Sequence, residues 1–98
     1  MKEKTYHIFF SKLSSPLRID IITSLEKKPK SVTELVKELK AEQSKISHAL
    51  KELRECSIID FEQRGKKRIY SLNKTIIPIL RLIKCHGEKC CSLCKGCK

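Results

Sequence analysis

The stretch Ala41–Ile59, AEQSKISHALKELRECSII, decides how the rest of the chain is read. Ile46, Ala49, Leu50 and Leu53 recur at three- and four-residue spacing, so they share one face of a helix. Gln43, Ser44, Lys45, Ser47, His48 and Lys51 fall off that face and can turn toward a groove. Glutamine can pair two bonds with adenine, serine and histidine suit base edges or phosphate, and lysine serves the nucleic-acid backbone. Such residues also make an ordinary solvated surface, so the reading depends on what flanks the helix.

Upstream, Ser15 and Pro16 mark a helix start, and Leu17, Ile21 and Leu25, with Ile22 beside them, form an amphipathic stripe. Lys27 to Lys30, with Pro29, breaks that helix. Ser31 and Glu34 then make a capping-box pattern ahead of Val32, Leu35, Val36 and Leu39. Lys40, Ala41 and Glu42 are a short connection to the next helix, and two helices joined so tightly predict a helix-turn-helix. Downstream, Ile58, Ile59 and Phe61 favour a strand, Gly65 turns the chain within Arg64–Lys67, and Ile69 and Tyr70 resume the strand pattern. This is a hairpin with a basic tip, a wing whose Arg64, Lys66, Lys67 and Arg68 would reach flanking phosphate or minor groove. The expected fold is mainly α with a small β-hairpin, a winged helix-turn-helix.

Two apolar segments exceed what this head can bury. The N-terminal segment carries Tyr6, Ile8, Phe9, Phe10 and Leu13. A last helix, opening between Asn73 and Pro78, carries Ile76, Ile77, Ile79, Leu80, Leu82 and Ile83 on more than one face. A chain of 98 residues supports one modest core, which cannot cover both. The two segments are therefore expected to form a helical homodimer interface, the competing reading being a single wrapped monomer core.

The 22 Lys and Arg against 11 Asp and Glu give a net charge of +11, spread along the chain, which favours a polyanionic partner such as double-stranded DNA. The longest apolar run, Ile76 to Ile83, is too short to cross a bilayer and contains Arg81; Met1 to Phe10 lacks the features of a signal peptide. A soluble, cytoplasmic protein with no membrane partner is expected. Catalysis is not: the chain has no Ser-His-Asp arrangement, no phosphate-binding glycine loop and only three glycines.

Composition changes after Lys84, dividing a winged helix-turn-helix and dimerisation domain (1–84) from a cysteine-rich tail (85–98). Five of the six cysteines, Cys85, Cys90, Cys91, Cys94 and Cys97, lie in CHGEKCCSLCKGCK. In a reducing cytosol they are expected as metal ligands or redox sensors rather than disulfides. Cys91, Cys94 and Cys97 have the C-x-x-C-x-x-C spacing that wraps three thiolates around a cubane, with Cys85 or Cys90 as fourth ligand, so a [4Fe–4S] cluster is the first expectation. The same thiolates suit zinc or another thiophilic metal, with His86 able to replace one of them. A metal-free redox switch or an unstructured tail are the remaining readings. Lys89, Lys95 and Lys98 would help to stabilise thiolates. Cys56, at the end of the reading helix, is expected to pack rather than ligate.

The segment Ala41–Ile59, together with LSSPLRIDIITSL from Leu13 to Leu25 and the wing ending in RIYSL, resembles the arsenic-repressor-type (ArsR) winged-helix family over roughly residues 6–84. The resemblance implies a homodimeric DNA-binding repressor that sets two reading helices in successive major grooves, about 34 Å apart, and occludes a promoter. The chain departs from the family pattern at Glu42, where a capping serine is common, and at Ala49, which replaces a second histidine. Where arsenic-sensing relatives carry Cys-x-Cys, this chain has Ser31 and Thr33; zinc-sensing relatives' Asp and His ligands on the last helix are absent from Ile76–Lys84. Any sensing is thereby assigned to the tail. A different class of function also fits the composition: a winged-helix module that docks a protein partner, with a structural zinc or metal-handling tail.

Overall fold

A computed structural model describes residues 3–93, and the side-chain surroundings of residues 6–86. Helix α1 (Glu3–Lys12) is followed by α2 (Pro16–Lys27), a two-residue strand β1 (Lys30–Ser31), α3 (Val32–Leu39) and α4 (Gln43–Glu55). The hairpin strands β2 (Ile59–Arg64) and β3 (Lys67–Leu72) come next, and α5 (Ile76–Leu93) is last. Helices α3 and α4, joined by Lys40–Glu42, are the helix-turn-helix, and β2–β3 is the wing.

The helix boundaries have local causes. Pro16 opens α2 after Ser15, although the serine side chain makes no capping bond. Ser31 and Glu34 close the predicted capping box: the Glu34 amide donates to Ser31 Oγ at 3.3 Å, and the Ser31 amide donates to Glu34 Oε1 at 3.2 Å. Helix α3 ends on Lys40, held in the left-handed region at φ 53°, with its amide donating to the Val36 carbonyl. Glu42 is the N-cap of α4 without a side-chain capping bond, so the departure noted there leaves the helix start unsupported from that side chain.

The end of α4 is a Schellman motif. Ser57 sits at φ 58°, its amide donates to the Arg54 carbonyl, and the Ile58 amide reaches the Leu53 carbonyl at 3.0 Å. Leu53 and Ile58, both fully buried, supply the apolar contact that accompanies it. Serine fills a position that usually takes glycine, which is why no sequence signal marked it.

The core is built from Ile21, Ile22 and Leu25 of α2, Leu35 of α3, Ile46, Ala49, Leu50 and Leu53 of α4, then Ile58, Ile59, Tyr70 and Ile76. All four apolar residues of the decisive stretch therefore point inward. Cys56 is half-buried and packs against this core, as expected of it.

The sheet corrects one reading. Lys27 to Lys30 was expected only to break a helix, yet β1 pairs antiparallel with β3, Lys30 opposite Tyr70 and Ser31 opposite Ile69, giving the order β1-β3-β2. Two residues are too few to show alternation. The pairing is secured from outside the strand: the buried Lys30 ammonium donates to Ser24 Oγ and to Glu38 Oε1, each at 2.6 Å, tying α2, β1 and α3 together. In the wing, Arg64 faces Lys67 across a two-residue turn, and Gly65 has φ 61°, the conformation a type II′ hairpin asks of its first turn residue.

The flanking helices divide their apolar residues. Phe9 of α1, Leu13 just after it, and Ile76 and Leu80 of α5 pack on the head, whereas Tyr6, Ile8, Phe10, Ile77, Ile79, Leu82 and Ile83 stand exposed, Leu82 at 72%. Helix α5 also runs across the compositional break at Lys84 and on to Leu93, so no change of secondary structure accompanies that division.

Candidate nucleic-acid interface

Helix α4 is held from behind by its buried face, and its opposite face is open. Gln43, Ser44, Lys45, Ser47, His48 and Lys51 are all exposed, as the sequence reading placed them. With α3 and the wing, α4 borders an open groove of about 490 Å³. Among the described residues five cations line it, Lys51 and Arg54 from α4 and Lys66, Lys67 and Arg68 from the wing, and no carboxylate does. Ser31 and Thr33, at the start of α3, lie along the same groove with Ser47. The positions where the family resemblance pointed to a missing Cys-x-Cys pair are thus given over to capping α3 and lining this groove.

The expected wing residues do not all come together. Lys66, Lys67 and Arg68 reach the groove; Arg64 is exposed outside its lining and donates to Glu62 Oε2 at 3.3 Å. Gln43, Ser44, Lys45 and His48 stand beside the groove on the exposed front of α4. Sequence reasoning stopped at Lys51 and missed Arg54, one turn further along and adjacent in sequence to the buried Leu53. The signal that finds it is three-dimensional: its guanidinium carbon lies 4.9 Å from the centroid of the Phe61 ring, and that of Arg68 lies 4.8 Å from the same centroid.

A polar chain links α1 to this surface. Lys12 donates to Glu52 on α4, and His48 Nε2 lies 3.7 Å from the other carboxylate oxygen of Glu52. The Lys12 hydrogen bond holds the Glu52 carboxyl below the usual carboxylate range, helped by the charge of Lys12 and less by those of Arg18 and His48, while partial burial opposes. Lys12 is correspondingly raised, chiefly by its hydrogen bond to Glu52.

Of the expected metal ligands, Cys85 is exposed, and among the described residues no three His, Cys, Asp or Glu side chains converge. Cys90 and Cys91 fall on the last turns of α5, but their side chains, together with Cys94 and Cys97, lie outside the described residues. No helix among the described residues is long and apolar enough to cross a membrane.

Comparison with known proteins agrees with this arrangement. Residues 15–60 match the bacterial regulatory proteins of the arsR family. The chain is 36% identical over 68 residues to the HTH-type transcriptional regulator NmtR of Mycobacterium tuberculosis, covering 69% of this chain and 57% of that protein. It is 31% identical over 82 residues to a transcriptional repressor, the SmtB homolog of Synechocystis sp., covering 83% of this chain and 62% of that one. The chain thus spans about three fifths of the length of these curated relatives. Among solved structures, Rv0081 of M. tuberculosis superposes with a TM-score of 0.86 at 28% identity, over 91% of each chain.

Proposed function

Because residues 15–60 make this chain a member of the arsR family of bacterial regulatory proteins, we propose that it is a homodimeric repressor that binds an operator and responds to a metal held by its C-terminal cysteines. The observation that carries the DNA-binding part is the joining of an outward polar face on α4 to a groove lined, among the described residues, by five cations and no carboxylate. Phosphate contacts set register and most of the affinity, and side chains on the front of the helix select bases. On this reading Gln43, Ser44, Lys45, Ser47 and His48 face base edges or adjacent phosphates, while Lys51 and the wing cations Arg64, Lys66, Lys67 and Arg68 serve the backbone. The dimer is supported by the exposed apolar residues of α1 and α5, which a second copy would cover.

The tail is the regulatory part of the proposal. Cys85, Cys90, Cys91, Cys94 and Cys97 form an all-thiol donor set, whose softness suits a thiophilic metal such as zinc, or a [4Fe–4S] cluster. Because α5 continues from its exposed apolar residues to Leu93 without a break, a ligand held by these cysteines would brace the same helix that a second copy packs against. A coupling of about 1–3 kcal/mol suffices for regulation.

The test is binding of the full chain to duplex DNA by fluorescence anisotropy across a salt series. Affinity is expected to fall steeply as salt rises; a flat response would end the DNA reading and favour a protein-docking module. Exchanging Ser47 and His48 for alanine is expected to change operator selection. A Cys91→Ser, Cys94→Ser double variant is expected to lose the difference between metal-loaded and metal-free protein, and equal affinity of the wild type under all metal and redox conditions would end the sensing reading. Metal content and visible absorption after anaerobic purification separate the cofactors: iron with a broad visible band means a cluster, a colourless zinc protein means a closed thiolate site.

A further inference from the structure

We infer that Phe61 is a positioning residue for DNA binding: its ring holds the guanidinium groups of Arg54 and Arg68 together in the groove, where they engage the phosphodiester backbone. The inference rests on the DNA-binding reading above and adds two residues to it, Arg54 and Phe61.

Strand alternation brings the three groups together. Ile59 of β2 is fully buried, so Phe61, two residues on, lies on the same inward face, with Tyr70 opposite in register and the two rings 5.8 Å apart. Arg68 is two residues before Tyr70 and shares that face. Arg54 comes to it from the last turn of α4, the end that abuts the wing. Beyond Ile59, Phe61 is the only apolar side chain of β2, and it remains 36% exposed at the edge of the core beside Tyr70.

The electrostatics favour an incoming anion. Two guanidiniums gathered on one ring repel each other, and among the described residues neither has a carboxylate within 4.0 Å, in contrast to Arg64, which pairs with Glu62. The electron-rich ring face partly compensates by attracting both cations, and it fixes their place without cancelling their charge. An arginine pre-ordered in this way loses less freedom when it meets an acceptor, and its planar fork matches phosphate oxygens. The groove lies toward the C-terminal end of α4, whereas bases are read by the N-terminal part of a recognition helix, so the acceptor is backbone phosphate rather than a base edge. Removing the ring should therefore weaken binding to every duplex by the same factor.

The experiment measures anisotropy of the full chain on two unrelated duplexes over a sodium chloride series, for wild type, Phe61→Leu, Phe61→Tyr, Arg54→Gln/Arg68→Gln and the triple variant. Phe61→Leu is expected to weaken both duplexes by about three- to tenfold and to reduce the steepness of the log affinity against log salt plot by about one to two, the mark of one or two lost phosphates. Phe61→Tyr, which keeps the ring, should stay near wild type. The arginine pair variant should lower affinity and slope at least as far, and adding Phe61→Leu to it should change nothing more, because the ring acts through the arginines. A Phe61→Leu protein with wild-type slope and affinity would overturn the inference, as would a Phe61→Leu effect of undiminished size in the arginine-free background, which would mean the ring is merely structural. If wild type itself shows no salt dependence, the DNA reading fails and this inference with it; if wild type is steep and Phe61→Leu matches it, this inference fails alone.

Discussion

Helices α4 and α5 both carry apolar side chains at helical spacing, but they meet different fates. Every apolar residue of α4 that the period marks is at most 4% exposed, whereas α5 buries Ile76 and leaves Leu82 at 72%. The head, from α2 to β3, supplies the surfaces that α4 needs; it has none left for the outer faces of α1 and α5. Periodicity tells which face of a helix seeks cover, and the amount of core available tells whether the same chain provides it.

The sharpest way to break this comparison is to remove one side chain from each side of it. Leu53→Ala deletes a fully buried side chain that also anchors the Schellman motif at the end of α4. It is expected to cost about 2–5 kcal/mol in urea unfolding, a large share of the total for a domain of this size. A loss below about 1 kcal/mol would mean that the core is loosely packed and the contrast with α5 overstated. Leu82→Gln, by contrast, should leave the fold of the head unchanged, as judged by circular dichroism, because the side chain touches little within the chain. Its effect should appear in self-association, weakened by about 1–3 kcal/mol for an amide set into an apolar contact, and read by sedimentation velocity across a dilution series. Unchanged association would show that α5 is not what a second copy covers.

The same contrast explains what was legible in the sequence. The helix-turn-helix could be read because each of its signals is local: a capping box at Ser31 and Glu34, a three-residue connection, and one apolar face whose members are all buried. The wing could be read for the same reason, down to Gly65 in its turn. Strand β1 could not, since its two residues are secured by a lysine reaching Ser24 and Glu38 on other elements. Ser57 escaped notice because serine there obeys the backbone hydrogen bonds of the motif rather than its own preference. On the candidate interface, exposure of the six α4 residues followed from periodicity, while Arg54 required the tertiary approach of α4 to Phe61. The segregation of α1 and α5 into inward and outward halves was likewise invisible: the sequence marks Phe9 and Phe10 alike, and only packing separates them.

The smallest expected effect lies at the seam between the two regions, where Lys12 of α1 meets Glu52 of α4. Glu52 titrates below its ordinary range because Lys12 donates to it, so its contribution is complete above the carboxylate pKa of the unfolded chain and is lost as pH falls through the lower folded value. Lys12 is raised, so its contribution is complete below the ordinary lysine range and is lost as pH rises through the folded value. The seam should hold at constant strength through neutral pH and loosen at both ends. Both side chains are partly exposed, so the effect on global stability is modest, and the better readout is hydrogen exchange of the α1 amides. Exchange in α1 is expected to accelerate as pH falls below the ordinary carboxylate range relative to that of α4, after correction for intrinsic rates. Glu52→Gln should show the faster α1 exchange already at neutral pH and no added acid dependence. Because Glu52 also lies beside His48 on the exposed front of α4, a loosened α1 in the variant without any change in DNA affinity would mean that the seam fastens the flank to the head and nothing more; a parallel loss of affinity would mean that the flank helps to set the reading helix.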